Sequence, residues 1–265
     1  MNVLFDIQGS GRPDRSLLLC EWGEGYCCMA LVEPDGPRVH RLKYWSLADP
    51  LEAGARNALV RELEVWGRHV EKAVFCSAFP ESVLVPQRFS GGAVWTEVLS
   101  PLRGGAHEDR IGEWQLSNHY LLPAPIDNAL RTSFPAAEYY HAHTAALKNY
   151  NGIDAPEQAQ VHFAPGQFRV LLRKSGQLQL AQVYRYSTPL DAVYYLLRIL
   201  DAAGLPHAST PLVLSGLIDE QSALYRELHQ YFGDLRFTAP EGVPNEEGRP
   251  AHFFTSLYNL ARCVS

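Results

Sequence analysis

The order in which strand-like and helix-like segments follow one another along residues 161–263 limits this chain to very few folds. Three runs of alternating apolar residues come first, separated by the turns Pro165-Gly166 and Ser175-Gly176, and they predict an antiparallel three-stranded meander. The apolar period then becomes helical, with Thr188 as N-cap and Pro189 at the first helical position. Two further strand–helix pairs follow, so the predicted order is β-β-β-α-β-α-β-α.

The first half of the chain predicts the same order. Three strand-like runs precede a helical segment at residues 51–66 and a buried strand at 74–79. The stretch 86–127 is less regular, and the pattern returns as a helix at 126–134 and a strand running into a helix at 139–147. The two halves therefore predict one repeated unit, without any need for residue identity between them.

Two such units indicate a duplicated α/β fold. Three antiparallel strands followed by helix-linked strands give a mixed sheet with helices on its faces. Asn, Gly, Asp and Pro cluster at residues 151–157, as is typical of a domain connection. We therefore predict an N-terminal lobe of residues 1–154 and a C-terminal lobe of residues 155–265, which meet around a cleft.

Charge and cysteine content exclude several classes of protein. The formal net charge is −6, so binding to nucleic acid or to an anionic membrane, which requires basic clusters, is not expected. The five cysteines are odd in number and include no Cys-x-x-Cys, which favours free buried thiols in a reducing compartment. The sequence lacks a signal peptide pattern and any apolar run long enough to span a membrane. These features predict a cytoplasmic protein.

Short motifs carry a resemblance to a known family. They are Ser82-Val83-Leu84-Val85-Pro86, Tyr184-Arg185-Tyr186-Ser187-Thr188 with Asp191-Ala192-Val193-Tyr194-Tyr195, and Leu214-Ser215-Gly216-Leu217-Ile218 with Leu224-Tyr225. In these motifs the chain resembles DUF3822, a family of unknown function from the Bacteroidetes. The resemblance implies the actin-like ATPase (ribonuclease H-like) fold, which actin, Hsp70 and sugar kinases share. It implies no activity, because the family has none established.

The hairpins that would hold phosphate in this fold look degenerate. Phosphoryl transfer there needs carboxylates near Mg²⁺ and glycine hairpins whose N–H groups cradle phosphate. The first hairpin, Trp22–Tyr26, has two glycines, but its acids are limited to Glu24 and the preceding Glu21. The second, Phe163–Gln167, contains no acid, and Pro165 removes a backbone donor.

Three residues are nevertheless candidates for a nucleotide site. An alternative first hairpin at Phe5–Gly11 would let Asp6 hold metal, although its spacing is one residue longer than Asp-x-Gly and a frayed strand is the simpler interpretation. Ser215 and Gly216 follow a predicted strand where this fold usually holds adenosine. A glycine there permits close approach of a ligand and equally permits a tight turn. No catalytic residue and no metal ligand set is predicted.

Other patterns are weaker. His141 and His143 would share one face of a strand, but no third metal ligand lies nearby. Gly91-Gly92 lacks the Lys-Ser/Thr of a P-loop. The second half is rich in aromatic residues, which are Tyr184, Tyr186, Tyr194, Tyr195 and Tyr225. Packing in the core and at the lobe interface is the simpler interpretation, and any exposed part would form a partner-binding patch.

We therefore predict a non-catalytic actin-like protein that acts as a scaffold or interaction module for a protein partner, without a cofactor. Two alternatives remain open. One is a nucleotide-binding protein or weak ATPase that uses Mg-ATP in the cleft. The other is a small-molecule kinase whose motifs have diverged. Carboxylates lining a cleft, with Ser215 and Gly216 on its wall, would favour either alternative.

Overall fold

The computed structural model describes residues 1–9, 15–34, 38–90, 104–150, 155–238 and 249–264. The chain forms two compact units. The first contains Met1–Tyr150 and Ser256–Ser265, and the second contains Asn151–Thr255. The Gly91-Gly92 pair singled out above lies outside the described residues.

The first unit contains nine strands among its described residues. They are β1 (Asn2–Gln8), β2 (Leu17–Trp22), β3 (Tyr26–Val32), β4 (Val39–Ser46), β5 (Lys72–Ser77), β6 (Ser82–Pro86), β7 (Gly104–Ile111), β8 (Leu116–Pro123) and β9 (Glu138–His141). Six of them form a sheet in the order β1-β4-β3-β2-β5-β9. Strands β1 to β4 pair antiparallel, whereas β2, β5 and β9 run parallel. The predicted mixed sheet is therefore confirmed in this unit.

The irregular stretch of the sequence forms a second, three-stranded antiparallel sheet in the order β6-β8-β7. Strand β7 carries Glu108, Asp109 and Arg110 in succession, and these polar residues conceal its alternation of buried and exposed positions. This sheet is inserted between β5 and the helix that precedes β9, so the repeated element order holds around it.

Helices cover the six-stranded sheet of the first unit. They are α1 (Ala53–Trp66), α2 (Ala124–Ser133) and α3 (Ala142–Lys148). Helix α1 starts later than the Asp49-Pro50 start expected from sequence, because the Glu52 carboxylate accepts bonds from the N–H groups of Gly54 and Ala55 at 2.7 and 2.6 Å. Its buried face packs on β2 and β5 in one core, which includes Leu18, Trp22, Leu59, Leu63, Phe75, Ile126 and Leu130.

The second unit follows the predicted order. Its elements are β10 (Gln158–Ala164), β11 (Gln167–Lys174), β12 (Gln177–Arg185), α4 (Pro189–Ala202), β13 (Leu212–Gly216), α5 (Ala223–Tyr231) and β14 (Leu235–Phe237), after which α6 (Thr255–Arg262) begins. The sheet order is β12-β11-β10-β13-β14, with β10, β13 and β14 parallel. Thr188 is the N-cap of α4, as the sequence predicts, and the structure adds a capping box with Asp191.

The chain returns to the first unit through α6, and this differs from the predicted lobe of residues 155–265. Asn149 donates from Nδ2 to the carbonyl oxygen of Asn259 at 2.8 Å, and Ser256 donates to the carboxylate of Glu21. Residues 256–265 therefore cluster with residues 1–150. The division near residue 154 and the cleft stay predictions. None of the helices in the described ranges is long and apolar enough to cross a membrane.

Candidate functional site

The acid that precedes the first-unit hairpin, Glu21, is used inside the fold. Glu21 is the penultimate residue of β2, beside the hairpin, and is only 2% exposed. Its carboxylate accepts hydrogen bonds from the hydroxyls of Tyr26 and Ser256. The N–H of Gly23 donates to the carbonyl oxygen of Tyr26 at 3.0 Å, which closes the turn. Glu21 therefore links the hairpin to α6, and the Gly23 N–H stabilises the turn. Both groups already have partners within the first unit.

A groove of about 470 Å³ adjoins this hairpin within the first unit. Three carboxylates line it, from Glu24 in the hairpin, Asp49 before α1 and Glu81 between β5 and β6. No Lys or Arg contributes to its wall as far as the described residues show. The rest of the lining is apolar and comprises Ala48, Pro50, Leu51, Phe79, Leu121, Pro123 and Pro125. We call this feature the acidic groove.

The candidate residue Asp6 lies on the edge strand β1. It is opposite Lys43 of β4, and its Oδ2 lies 3.7 Å from the Lys43 Nζ. Strand β1 pairs with β4 rather than with β2, so Asn2–Gln8 is an ordered strand that is not the first strand of a β1–β2 hairpin, and Ser10 and Gly11 of the motif lie outside the described residues. Ser215 and Gly216 belong to the other compact unit.

Ser215 and Gly216 end β13, at the carboxyl edge of the parallel strands. Ser215 Oγ lies 3.0 Å from Nδ1 of His162 on the neighbouring strand β10. Burial lowers the pKa of His162 well below its ordinary value, and the positive charges of Arg169 and His252 lower it further. The imidazole is therefore neutral at pH 7 and serves as a hydrogen-bonding partner of the serine.

The chain itself requires glycine at position 216. Its φ is +77°, and a Cβ there would lie 2.0 Å from the carbonyl oxygen of Phe163. The same carbonyl accepts the N–H of Leu217 at 2.8 Å, which tightens the strand-to-helix connection. The close approach of the two backbones therefore explains why position 216 requires glycine, and no ligand is needed to explain it.

The two hairpins depart from the pattern that holds Mg-ATP in this fold. Mg²⁺ in such sites is held by carboxylates together with substrate phosphates. Glu21 is engaged by two hydroxyl groups, and the second hairpin, Pro165-Gly166 between β10 and β11, contributes no acid. In the part of the chain that the structure describes, no three His, Cys, Asp or Glu side chains are grouped as metal ligands would be.

A buried polar network in the first unit was not anticipated from sequence. Asp109 of β7 accepts the backbone N–H of His141 at 2.7 Å and the hydroxyl of Tyr120 at 3.2 Å. Burial raises its pKa to about 6, against the opposing effect of these hydrogen bonds. Since β7 shows no strand pattern, only the folded structure brings Asp109 to the end of β9.

The two histidines of the sequence motif do not share a strand face. His141 ends β9 and His143 lies in α3, with ring centroids 4.7 Å apart. Nδ1 of His141 accepts the N–H of His143 at 3.1 Å, and Nε2 donates to the carbonyl oxygen of Phe79 at 3.0 Å. His141 is thus a neutral N-cap of α3.

The tyrosines of the second unit divide into buried and exposed groups. On α4, Tyr194 is 59% exposed and Leu190 is 54% exposed. Beneath them Tyr195 packs on Tyr184 at 4.9 Å between ring centroids, and Tyr184 stacks on Phe168 at 5.5 Å. We call Leu190 and Tyr194 the α4 patch.

A family profile described as "Protein of unknown function (DUF3822)" matches residues 59–235, about two thirds of the chain. The chain belongs to this family. The resemblance drawn from the motifs is therefore confirmed for DUF3822. Among curated proteins no sequence matches it.

Solved structures similar to this DUF3822 chain confirm the fold. A Bacteroides thetaiotaomicron VPI-5482 protein with an actin-like ATPase fold and unknown function has a TM-score of 0.76 at 12% identity, covering 94% of this chain and 96% of that chain. A chain of the PilM-PilN type IV pilus biogenesis complex gives 0.63 at 14% identity, with coverages of 96% and 100%. The ethanolamine utilization protein EutJ from Carboxydothermus hydrogenoformans gives 0.51 at 10%, with coverages of 96% and 91%. At these identities the likeness shows the fold alone, and that fold is the actin-like ATPase fold.

Proposed function

We propose that this DUF3822 protein is a non-catalytic actin-like protein that serves as an interaction module for a protein partner. The observation that carries the proposal is the state of Glu21. It is the acid of the strand that leads into the first hairpin, and the hydroxyls of Tyr26 and Ser256 hold its carboxylate in the interior. A carboxylate used in this way ties two segments of the first unit together and is withdrawn from chemistry with a nucleotide.

Two further observations support partner binding. The α4 patch leaves two large apolar side chains in water, and exposed aromatic and aliphatic residues of this kind are typical of interfaces. One similar solved structure is a component of a two-protein complex, PilM-PilN. A reducing compartment such as the cytoplasm suits the proposal, because all five cysteines are free thiols and four are buried.

A thermal-shift titration with ATP and with ADP, each with and without Mg²⁺, tests the proposal. A ligand that binds the native state alone stabilises it by about 2.7 kcal/mol at a hundredfold excess over its dissociation constant. We expect no shift at millimolar nucleotide, because the carboxylate of Glu21 is held in the interior and the second hairpin contributes no acid.

A Mg²⁺-dependent rise in melting temperature would contradict the non-catalytic proposal and favour one of the two alternatives. Asp6→Asn and Ser215→Ala would then locate the site, since each removes one candidate contact. ADP formation that depends on an added sugar would separate a kinase from a weak ATPase.

A further inference from the structure

We infer that this protein forms a two-fold dimer in which the edge strand β12 pairs antiparallel with β12 of a second copy. Self-association of this kind goes beyond the proposed function and does not depend on it.

The two larger sheets differ at one edge. Without β1, the order β4-β3-β2-β5-β9 of the first unit corresponds strand for strand to the order β12-β11-β10-β13-β14 of the second, so β4 and β12 are equivalent strands. Strand β1 covers the outer edge of β4 by antiparallel pairing, whereas no strand among the described residues covers the outer edge of β12. The first unit therefore shows that this edge accepts an added antiparallel strand.

The backbone of β12 presents hydrogen-bonding groups at this edge. In an antiparallel pair, the N–H and C=O groups of alternate residues point toward the neighbouring strand. The N–H of Tyr186 donates to the carbonyl oxygen of Gly166 on the β11 side, and the register with β11 is regular over Leu180–Arg185. The N–H and C=O groups of Ala181 and Val183 therefore point away from β11. An extended strand is the ligand that matches such a row of donors and acceptors.

The sequence of β12 suits pairing with itself. Its residues 177–184 include no charged side chain and no proline, the features that commonly protect an edge strand from strand addition. In the register centred on Gln182, Ala181 lies opposite Val183 of the second copy, so the outward groups of both strands meet. The same register sets Leu180 opposite Tyr184, an aliphatic–aromatic pair that stabilises antiparallel sheets.

The helix beside this edge also complements a second copy of itself. Asp191, Tyr195 and Arg198 follow at i, i+4 and i+7 and share one face of α4. The ring of Tyr195 lies 4.9 Å from that of Tyr184 on β12, so this face lies beside the edge. Two-fold pairing of β12 keeps both α4 helices on one side of the joined sheet and makes them antiparallel. The acidic end of one face then lies toward the basic end of the other.

Both charges are present for this contact. Two backbone N–H groups hold the pKa of the Asp191 carboxyl below its usual range, so it is ionised at neutral pH. The side chain of Arg198 is 67% exposed and pairs with Asp201 of the same helix at 3.6 Å, an exposed pair of the kind that contributes little. This charge complementarity favours a second copy over an unrelated strand.

Sedimentation equilibrium of the full chain over about 1–100 µM, which spans the dissociation constants of weak complexes, tests the dimer. Ala181→Pro removes an outward N–H group and leaves the hydrogen bonds to β11, because edge strands tolerate proline where the N–H faces solvent. Ala181→Val is the matched control, since it keeps the donor. We expect the wild type and the control to dimerise alike, and Ala181→Pro to dimerise at least about tenfold more weakly because symmetry removes the bond twice.

Arg198→Glu tests the contact between the helices. It turns an attraction toward Asp191 of the second copy into a repulsion and should weaken dimerisation about three- to tenfold. Arg226→Glu makes the same change of charge at an exposed position of α5 and should leave dimerisation unchanged.

Amide hydrogen exchange of the wild type provides a measurement that needs no variant. The N–H groups of Ala181 and Val183 should exchange more slowly as the protein concentration rises, whereas that of Tyr186, which is bonded to Gly166, should not change. A monomeric wild type over the whole concentration range, equal dimerisation of the two Ala181 variants, or exchange at Ala181 and Val183 that does not depend on concentration would overturn the inference. Equal effects of the two arginine variants would overturn the two-fold arrangement of α4. Failure here leaves the nucleotide titration unaffected, so the two proposals fail separately.

Discussion

Single buried residues of the first unit link its stability to pH and to contacts made far along the chain. Asp109 is 7% exposed and lies at the junction of the three-stranded sheet with β9. Its pKa of about 6 means that the fold favours the protonated form relative to the unfolded chain. Stability from this residue is therefore gained as the pH falls through 6 towards the ordinary value of 3.8, and lost as the pH rises through the same window.

We predict that the free energy of unfolding of the wild type increases on going from about pH 7.5 to about pH 5 by roughly 1 kcal/mol more than that of Asp109→Asn. Urea denaturation at the two pH values measures both differences. The comparison with the variant is needed because His162 and His252, whose pKa values are lowered by burial, act in the opposite direction and lose stability below about pH 6.5. Equal pH dependence in both proteins would contradict the role of Asp109.

Residue-scale interactions were the least predictable from sequence. Glu21 and Ser256 are separated by 235 positions, and no local pattern relates them. Asp109 lay in a stretch without strand period, and Gly216 permitted two interpretations until the position of the Phe163 carbonyl was known. Asp6 was a candidate metal ligand because of the hairpin-like pattern around it. In the structure it lies on the edge strand β1, and its carboxylate pairs with Lys43.

At the scale of elements, local signals predicted much of the second unit. Thr188 and Asp191 define the start of α4 because a capping box involves only residues three apart. The strands β10, β11 and β12 follow from apolar alternation between turns. The sequence did not predict the inserted sheet of the first unit. Its outer strands β6 and β7 are held by pairing with β8, and their own sequences lack a recognisable strand pattern.

The packing of β13 against β10 gives a prediction at this scale. Gly216→Ala should lower the free energy of unfolding by at least about 3 kcal/mol, since strain of about 1–2 kcal/mol at positive φ adds to overlap with the Phe163 carbonyl. Gly166→Ala is the matched control, because φ is +72° but no atom lies within 4 Å of its Cβ position. We expect Gly166→Ala to lower the free energy of unfolding by about 1–2 kcal/mol, and urea denaturation measures both variants. Similar losses at both positions would show that the contact with β10 is unimportant.

On the scale of the whole molecule, the first unit is discontinuous in sequence. Residues 1–150 are completed by residues 256–264, whose side chains Leu257 and Leu260 are 5% and 0% exposed. The hydrogen bond between Asn149 and Asn259 shows that the two segments lie side by side. The duplicated fold was predictable from the order of the elements. The packing of α6 in the first unit was not, because helical periodicity does not show which sheet a helix will cover.

A fragment of residues 1–150 should therefore be much less stable than one in which a short Gly-Ser linker joins residue 150 to residues 255–264. We expect their free energies of unfolding to differ by at least about 3 kcal/mol. The shorter fragment loses a fully buried leucine, Leu260, and the Ser256 hydroxyl that bonds to the buried carboxylate of Glu21. Chemical denaturation followed by circular dichroism compares the two. The linked fragment carrying Leu260→Ala is the control and should fall between them. Equal stability of the two fragments would contradict the assignment of α6 to the first unit.

The return of α6 also sets an order of events during synthesis. Domains generally fold as they leave the ribosome, with the earlier one first. Here residues 256–264 are made only after the whole second unit, so Glu21 lacks Ser256 until then. The unit that is made first therefore cannot be completed before the second has been synthesised.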